Sequence, residues 1–155
     1  MTRSMTVAIA AFVAILAVVV TVVSIKMSPL DKPAFRLEDP YLRATLPDSP
    51  TAAAFMVLHN DTGRDDRLIG VRADFAQNAA LHTHTQDENG VMRMRPIDDG
   101  IPIADGDSHA FVRGGDHLMF LGLSAPLTDG APVSVTLVFE EAGEVAIRIP
   151  VDLGR

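Results

Sequence analysis

The stretch LHTHTQDENGVMRMRP, from Leu81 to Pro96, decides how this chain folds. Its first arm belongs to a candidate strand over Asn78–His84, in which His82 and His84 share one face and Thr83 points to the other. The Asp87–Gly90 segment is polar and ends in glycine, as a reversing turn requires. The second arm, Val91–Arg95, alternates apolar and basic residues with Met92 and Met94 on one face. The reading is therefore a β-hairpin with histidines on one arm and methionines on the other.

Working outward, the same two-residue period recurs. The segment GGDHLMFLGL, Gly114 to Leu123, predicts a strand over His117–Leu123. Further strands are predicted over Tyr41–Leu46, Ala52–His59, Arg67–Ala73, His109–Val112, Val133–Glu140 and Glu144–Val151. Ser134–Phe139 has the β-branched and aromatic content of a buried strand. The turns Asn60–Gly63 and Asp98–Gly100 separate these runs, and Ala73–Ala80 is expected to form at most one helical turn. About eight or nine short strands imply an all-β domain, either a sandwich or a small barrel.

Four of the five histidines (His82, His84, His109, His117) and three methionines (Met92, Met94, Met119) fall between positions 82 and 119, and the chain has no cysteine. Imidazole nitrogen and thioether sulfur together suit soft, monovalent copper, whereas magnesium and calcium require oxygen. Eleven residues separate His82 from Met94 and twenty-two separate Met94 from His117, which forms an H-x-M pair with Met119. On a strand that pair projects from one face, so three short strands can converge four donors on one patch. His59 and His109 have no partner assignable from sequence and are read as surface residues. Asp116 has two readings, an acceptor that orients the neighbouring His117 or a turn residue ahead of the strand.

These pieces resemble the periplasmic copper chaperones of the PCu(A)C family, over roughly Ala53 to Val151. The resemblance is carried by LHTH at 81–84, GVMRMRP at 90–96, GIPI at 100–103, GGDHLMFLGL at 114–123 and EEAGEVAIRIPV at 140–151. It implies a cupredoxin-like Greek-key fold and a copper site made of His82, Met94, His117 and Met119. The first gap is one residue longer than in the family motif, which an insertion in the Gln86–Gly90 turn accommodates. His84 stands where a methionine is common in relatives. As an auxiliary ligand it would make the patch richer in nitrogen and able to hold Cu(II) as well as Cu(I). The resemblance further implies a non-enzymatic chaperone that delivers copper to the binuclear site of cytochrome c oxidase subunit II, beside Sco-type copper proteins. Copper sequestration and a metal-free β-sandwich interaction module are the alternatives.

Composition excludes several other classes. After Lys26 the chain has twenty acidic and eleven basic side chains, a formal charge of −9, which argues against nucleic acid as a partner. Without cysteine there is neither a disulfide nor the thiolate of a blue-copper electron carrier. The glycines are scattered and form no phosphate loop, and Ser108-His109 lacks a nucleophile-elbow setting. The Asp65-Asp66 and Asp98-Asp99 pairs are read as solvated turn residues.

Residues 1–26 contain no charge between Ser4 and Ile25, and the twenty residues from Thr6 to Ile25 are long enough to cross a bilayer as a helix. Arg3 ahead of that stretch favours an N-terminus in the cytoplasm with the remainder outside, which the family resemblance implies is the periplasmic side of the bacterial inner membrane. Cleavage to a soluble periplasmic form is the competing reading, opposed by the lack of a clear A-x-A site. Residues 27–40 hold three prolines and read as a linker, leaving 41–155 as the copper-binding domain.

Overall fold

The computed structural model describes residues 34–155. These form ten β-strands and no helix: β1 (Phe35–Arg43), β2 (Thr51–Asn60), β3 (Asp66–Arg72), β4 (Ala76–Gln86), β5 (Met92–Pro96), β6 (Ile101–Ile103), β7 (Ser108–Phe111), β8 (His117–Leu123), β9 (Pro132–Phe139) and β10 (Glu144–Pro150). The expected membrane helix over 1–26 and residues 27–33 lie outside the described residues. Among the described residues no helix is long and apolar enough to cross a membrane.

Two antiparallel sheets enclose one core. The larger runs β1-β2-β8-β4-β5, with β7 paired to β2 beyond the end of β8; the smaller runs β10-β9-β3-β6. The chain passes between the sheets five times, so the topology is a crossed sandwich and not a meander. Alternation decides which side chains enter the core. From the larger sheet come Ala52, Ala54, Leu58, Leu81, Leu118 and Phe120, and from the smaller Leu68, Val71, Leu137, Phe139 and Ile149. Burying a large aliphatic or aromatic side chain of this kind contributes about 1.5–3 kcal/mol. The intervening residues of β2, β4 and β8 therefore lie on the outer face of the larger sheet, and the candidate ligands His82, His84, His117 and Met119 are among them.

The domain begins earlier than the sequence suggests. Phe35 to Pro40, expected as linker, form the first part of β1, whose Phe35 ring stacks on Phe139 at 3.8 Å. A bulge between Glu38 and Tyr41 conceals this strand: Asp39 takes a φ of 47° and Pro40 interrupts the two-residue period. β6 was not anticipated at all. It is three residues long and carries Pro102, which an edge strand tolerates. Ala73–Ala80 contains no helix, only a single turn in which Ala76 N–H donates to the Ala73 carbonyl as β4 begins. Asp66, read as a solvated turn residue, is buried and accepts hydrogen bonds from the backbone N–H groups of Arg67, Glu141 and Ala142, which ties β3 to the β9–β10 turn. Asn60 is likewise buried. Its amide donates to the carbonyls of Arg64 and Ile103 and its oxygen accepts from Thr62 N–H, locking the turn after β2.

Candidate metal centre

β4, β5 and β8 are neighbours in the larger sheet, and their register brings the candidate residues together. His82 lies opposite His117 across the β4–β8 pair, and His84 lies opposite Met94 across β4–β5. Met119, two residues beyond His117, is flanked by Ala80 and Ala53 on the adjoining strands. These small neighbours leave room above the sheet. The result is an open cleft of about 260 Å³ lined by His84, Met94, His117 and Met119, with Phe55 and Ala53 from β2, Arg43 from the end of β1, and Thr45 and Arg113 from the flanking loops. His82 stands beside the cleft and is joined to it through Met94, its Nδ1 lying 3.2 Å from the Met94 Sδ. That separation is near the roughly 3.5 Å between two ligands of a tetrahedral ion with bonds of about 2.0–2.3 Å.

His117 is the most constrained of the group. It is 2% exposed, and its Nδ1–H donates to the Gly115 carbonyl at 3.1 Å. A carbonyl only accepts, so the proton is assigned to Nδ1 and the Nε2 lone pair is left free. The acceptor is held by a tight turn between β7 and β8, in which Val112 N–H donates to Asp116 O and Gly115 N–H to Val112 O. Gly114 adopts a φ of 79° there, a conformation that residues with a Cβ rarely take.

The three histidines are close to one another. Ring centroids of His84 and His117 are 4.9 Å apart in a stacked arrangement, and those of His82 and His117 are 6.0 Å apart, edge to face. Desolvation holds the His117 imidazole below its ordinary pKa, and His84 adds to this against the opposing pull of the Gly115 bond and Asp116. His82 is also lowered, first by desolvation and then by the charges that His117 and His84 would carry. Both effects favour neutral imidazole, the form that binds metals. His84 Nδ1 is buried with no hydrogen-bond partner, an unsatisfied donor or acceptor on a ring stacked against His117.

The donor set is specific in what it lacks. No carboxylate lines the cleft, and among the described residues no three His, Cys, Asp or Glu side chains gather as a metal site. Any ion held here depends on the thioethers. Such a set suits a soft ion and offers little to calcium or magnesium.

The remaining candidates go elsewhere. Asp116 does not orient His117; its carboxylate pairs with His109 Nε2 at 2.9 Å. His59, read as a surface residue without a partner, pairs with Glu38 at 3.0 Å. Met92 lies on the same strand as Met94, opposite Gln86 and away from the cleft lining. Sequence reasoning missed Asp87, which organises the β4–β5 turn. Its carboxylate accepts from the backbone N–H of Asn89 and Val91 and from the Arg93 guanidinium, and the Arg93 bond leads in lowering its pKa. The signal was available, because aspartate at the start of a turn commonly accepts from the backbone two residues on.

Comparisons with known proteins identify the family and the fold. The family model "Putative lipoprotein LpqE-like" matches residues 35–151. The "Putative lipoprotein Lxx21020" of Leifsonia xyli subsp. xyli is 32% identical over 103 residues, covering 66% of this chain and 61% of that protein, so the match spans less than two thirds of the relative's length. Among solved structures, the copper-bound PCuAC domain from PmoF2 superposes with a TM-score of 0.62 at 28% identity, covering 82% of this chain and 99% of that domain. The Cu(I) form of DR1885 from Deinococcus radiodurans gives a TM-score of 0.56 at 28% identity, covering 79% and 83%. With the family match extending from the first strand to the end of the last, and PCuAC domains as its structural neighbours, the chain belongs to the LpqE-like family and is built as a PCuAC domain.

Proposed function

We propose that this protein is a copper metallochaperone that holds Cu(I) through His82, Met94, His117 and Met119 and passes it on without catalysing a reaction. One observation carries the reading: donors from three adjacent strands converge on a carboxylate-free cleft, with the Nε2 lone pair of His117 free. Neutral nitrogen and sulfur ligands bind a monovalent ion without accumulating charge, and an open cleft lets a recipient's ligands replace them one at a time. Two solved neighbours, named as copper-bound and Cu(I) forms, support the choice of metal. The two crossed sheets are consistent with a cupredoxin-like Greek key. The unpartnered Nδ1 of His84 supports its role as an auxiliary ligand that admits Cu(II).

The recipient in this reading is the binuclear copper site of cytochrome c oxidase subunit II, with Sco-type proteins acting alongside. The apolar stretch from Thr6 to Ile25 anchors the chain to the periplasmic side of the inner membrane. The family's lipoprotein name is consistent with membrane attachment, and since the sequence has no cysteine to carry a thioether-linked lipid, the apolar stretch takes that role. Anchoring keeps donor and recipient on one surface and raises their effective concentration. Intact mass of membrane-extracted protein checks this: a soluble chain beginning near Ser24 to Ser28 would remove the anchor.

The test of the function is Cu(I) competition against a chromophoric chelator, followed by transfer to an apo fragment of subunit II. One tightly held Cu(I) per chain that moves to the fragment is the expected result. No Cu(I) retained against the chelator would refute the chaperone reading. Retention without transfer would redirect it to sequestration.

A further inference from the structure

The cleft has a feature that copper binding does not explain. Two of its lining residues, Arg43 and Arg113, have no carboxylate within ion-pair distance among the described residues. Five other arginines, Arg36, Arg67, Arg72, Arg93 and Arg155, each face a carboxylate, whereas Arg64, Arg95 and Arg148, which also have none within ion-pair distance, lie outside the cleft lining. What distinguishes Arg43 and Arg113 is their position, because guanidinium groups at the mouth of a site for a cation oppose the cation.

The cleft wall is otherwise largely apolar, with Ala44, Ala53, Phe55, Met94 and Met119, and Leu46 and Val112 are exposed next to the lining residues Thr45 and Arg113. An apolar wall around two unpaired cations is the pattern of a docking surface.

We infer that the copper cleft is also a docking surface for an acidic, apolar-flanked segment of the protein that exchanges copper with it, the carboxylates of that segment pairing with Arg43 and Arg113. The inference rests on the copper reading of the cleft. Charge complementarity selects the occupant. The surrounding domain is acidic and repels acidic chains in general, so only a partner presented at this mouth finds cations to pair with. Pairing also brings negative charge beside the ion as the incoming ligands approach, which offsets the repulsion from the two guanidinium groups during exchange.

The experiment uses the metal-free full chain in detergent and two fluorescein-labelled synthetic peptides, identical except that Leu and Met are interspersed with Glu in one and with Lys in the other. Fluorescence anisotropy at low salt is expected to give roughly three- to tenfold tighter binding of the Glu peptide, the size of two exposed ion pairs. The preference should fade near 1 M salt, where the screening length falls to about 3 Å. It should vanish in Arg43→Gln/Arg113→Gln and persist in Arg64→Gln/Arg148→Gln, which removes two arginines outside the cleft. Equal or tighter binding of the Lys peptide overturns the inference. So does a preference that survives in the first variant or disappears in the second. Because no copper is present, this result is independent of the chelator competition that tests the chaperone reading.

Discussion

The two ends of the six-stranded sheet hold histidines in opposite ways. Towards β1 and β7, His59 and His109 each face a carboxylate, Glu38 at 3.0 Å and Asp116 at 2.9 Å. Towards β4 and β5, His82, His84 and His117 face one another, two thioethers and the ring of Phe55, with no carboxylate in the cleft. A histidine hydrogen-bonded to a carboxylate has that ring nitrogen occupied. Among the histidines and sulfur, His82 and His117 are held towards the neutral form and stay available. The environment, more than the residue type, separates a structural histidine from a metal donor.

The sharpest way to break this comparison is to remove one histidine from each end. His117→Ala is expected to lower Cu(I) affinity by more than about 100-fold, beyond the 10- to 100-fold typical of residues that only support a ligand. His59→Ala should leave it unchanged. Chelator competition measures both, and equal losses would mean that the two ends are not functionally distinct.

Methionines permit a cleaner separation. Met56 is buried in the core, whereas Met94 is 45% exposed at the cleft. Met56→Ala should destabilise the fold by about 2–5 kcal/mol in urea denaturation and spare copper binding. Met94→Ala should do the reverse. A stability loss in Met94→Ala comparable to that in Met56→Ala would make Met94 a packing residue.

Acid sharpens the comparison further. The lowered pKa values of His82 and His117 keep both neutral below the ordinary imidazole value of about 6.5. Copper should therefore be retained at pH values where a free imidazole is already protonated, and be released as pH falls through the lowered values. For the metal-free fold the sign is the same. The unfolded chain binds protons more readily, so this stability is present above about pH 6.5 and is lost as pH falls through the folded-state values. Copper retention and thermal melting followed over pH check both, and release centred at or above about pH 6.5 would contradict the assignment.

The smallest expected effect concerns His84. His84→Met restores the residue common in the resembling family and should leave Cu(I) affinity nearly unaltered while weakening Cu(II) and reducing its nitrogen coupling in spin resonance. Identical Cu(II) spectra from both proteins would exclude His84 from the site.

Much of this architecture was legible from side-chain order alone. The candidate donors were identifiable because soft-metal chemistry restricts such ligands to a few residue types, and the two-residue period of LHTHT and HLM placed them on common faces. The β4–β5 hairpin and β8 followed from the same period. That period is local, so it failed where local order broke: at the Asp39–Pro40 bulge, which hid β1, and at Ile101–Ile103, too short to display alternation.

Partnership across the sheet was decided only by the tertiary structure. Asp116 adjoins His117 in sequence, yet consecutive residues of an extended chain point to opposite faces, so its carboxylate bonds His109 while His117 turns to Gly115 and the cleft. Asp66 resembled any turn aspartate until the β9–β10 turn closed over it, seventy-five residues away along the chain. Sequence determined which atoms could bind a soft metal and which faces they would occupy. Folding decided which of those faces met, because strand register is a long-range property that no local pattern encodes.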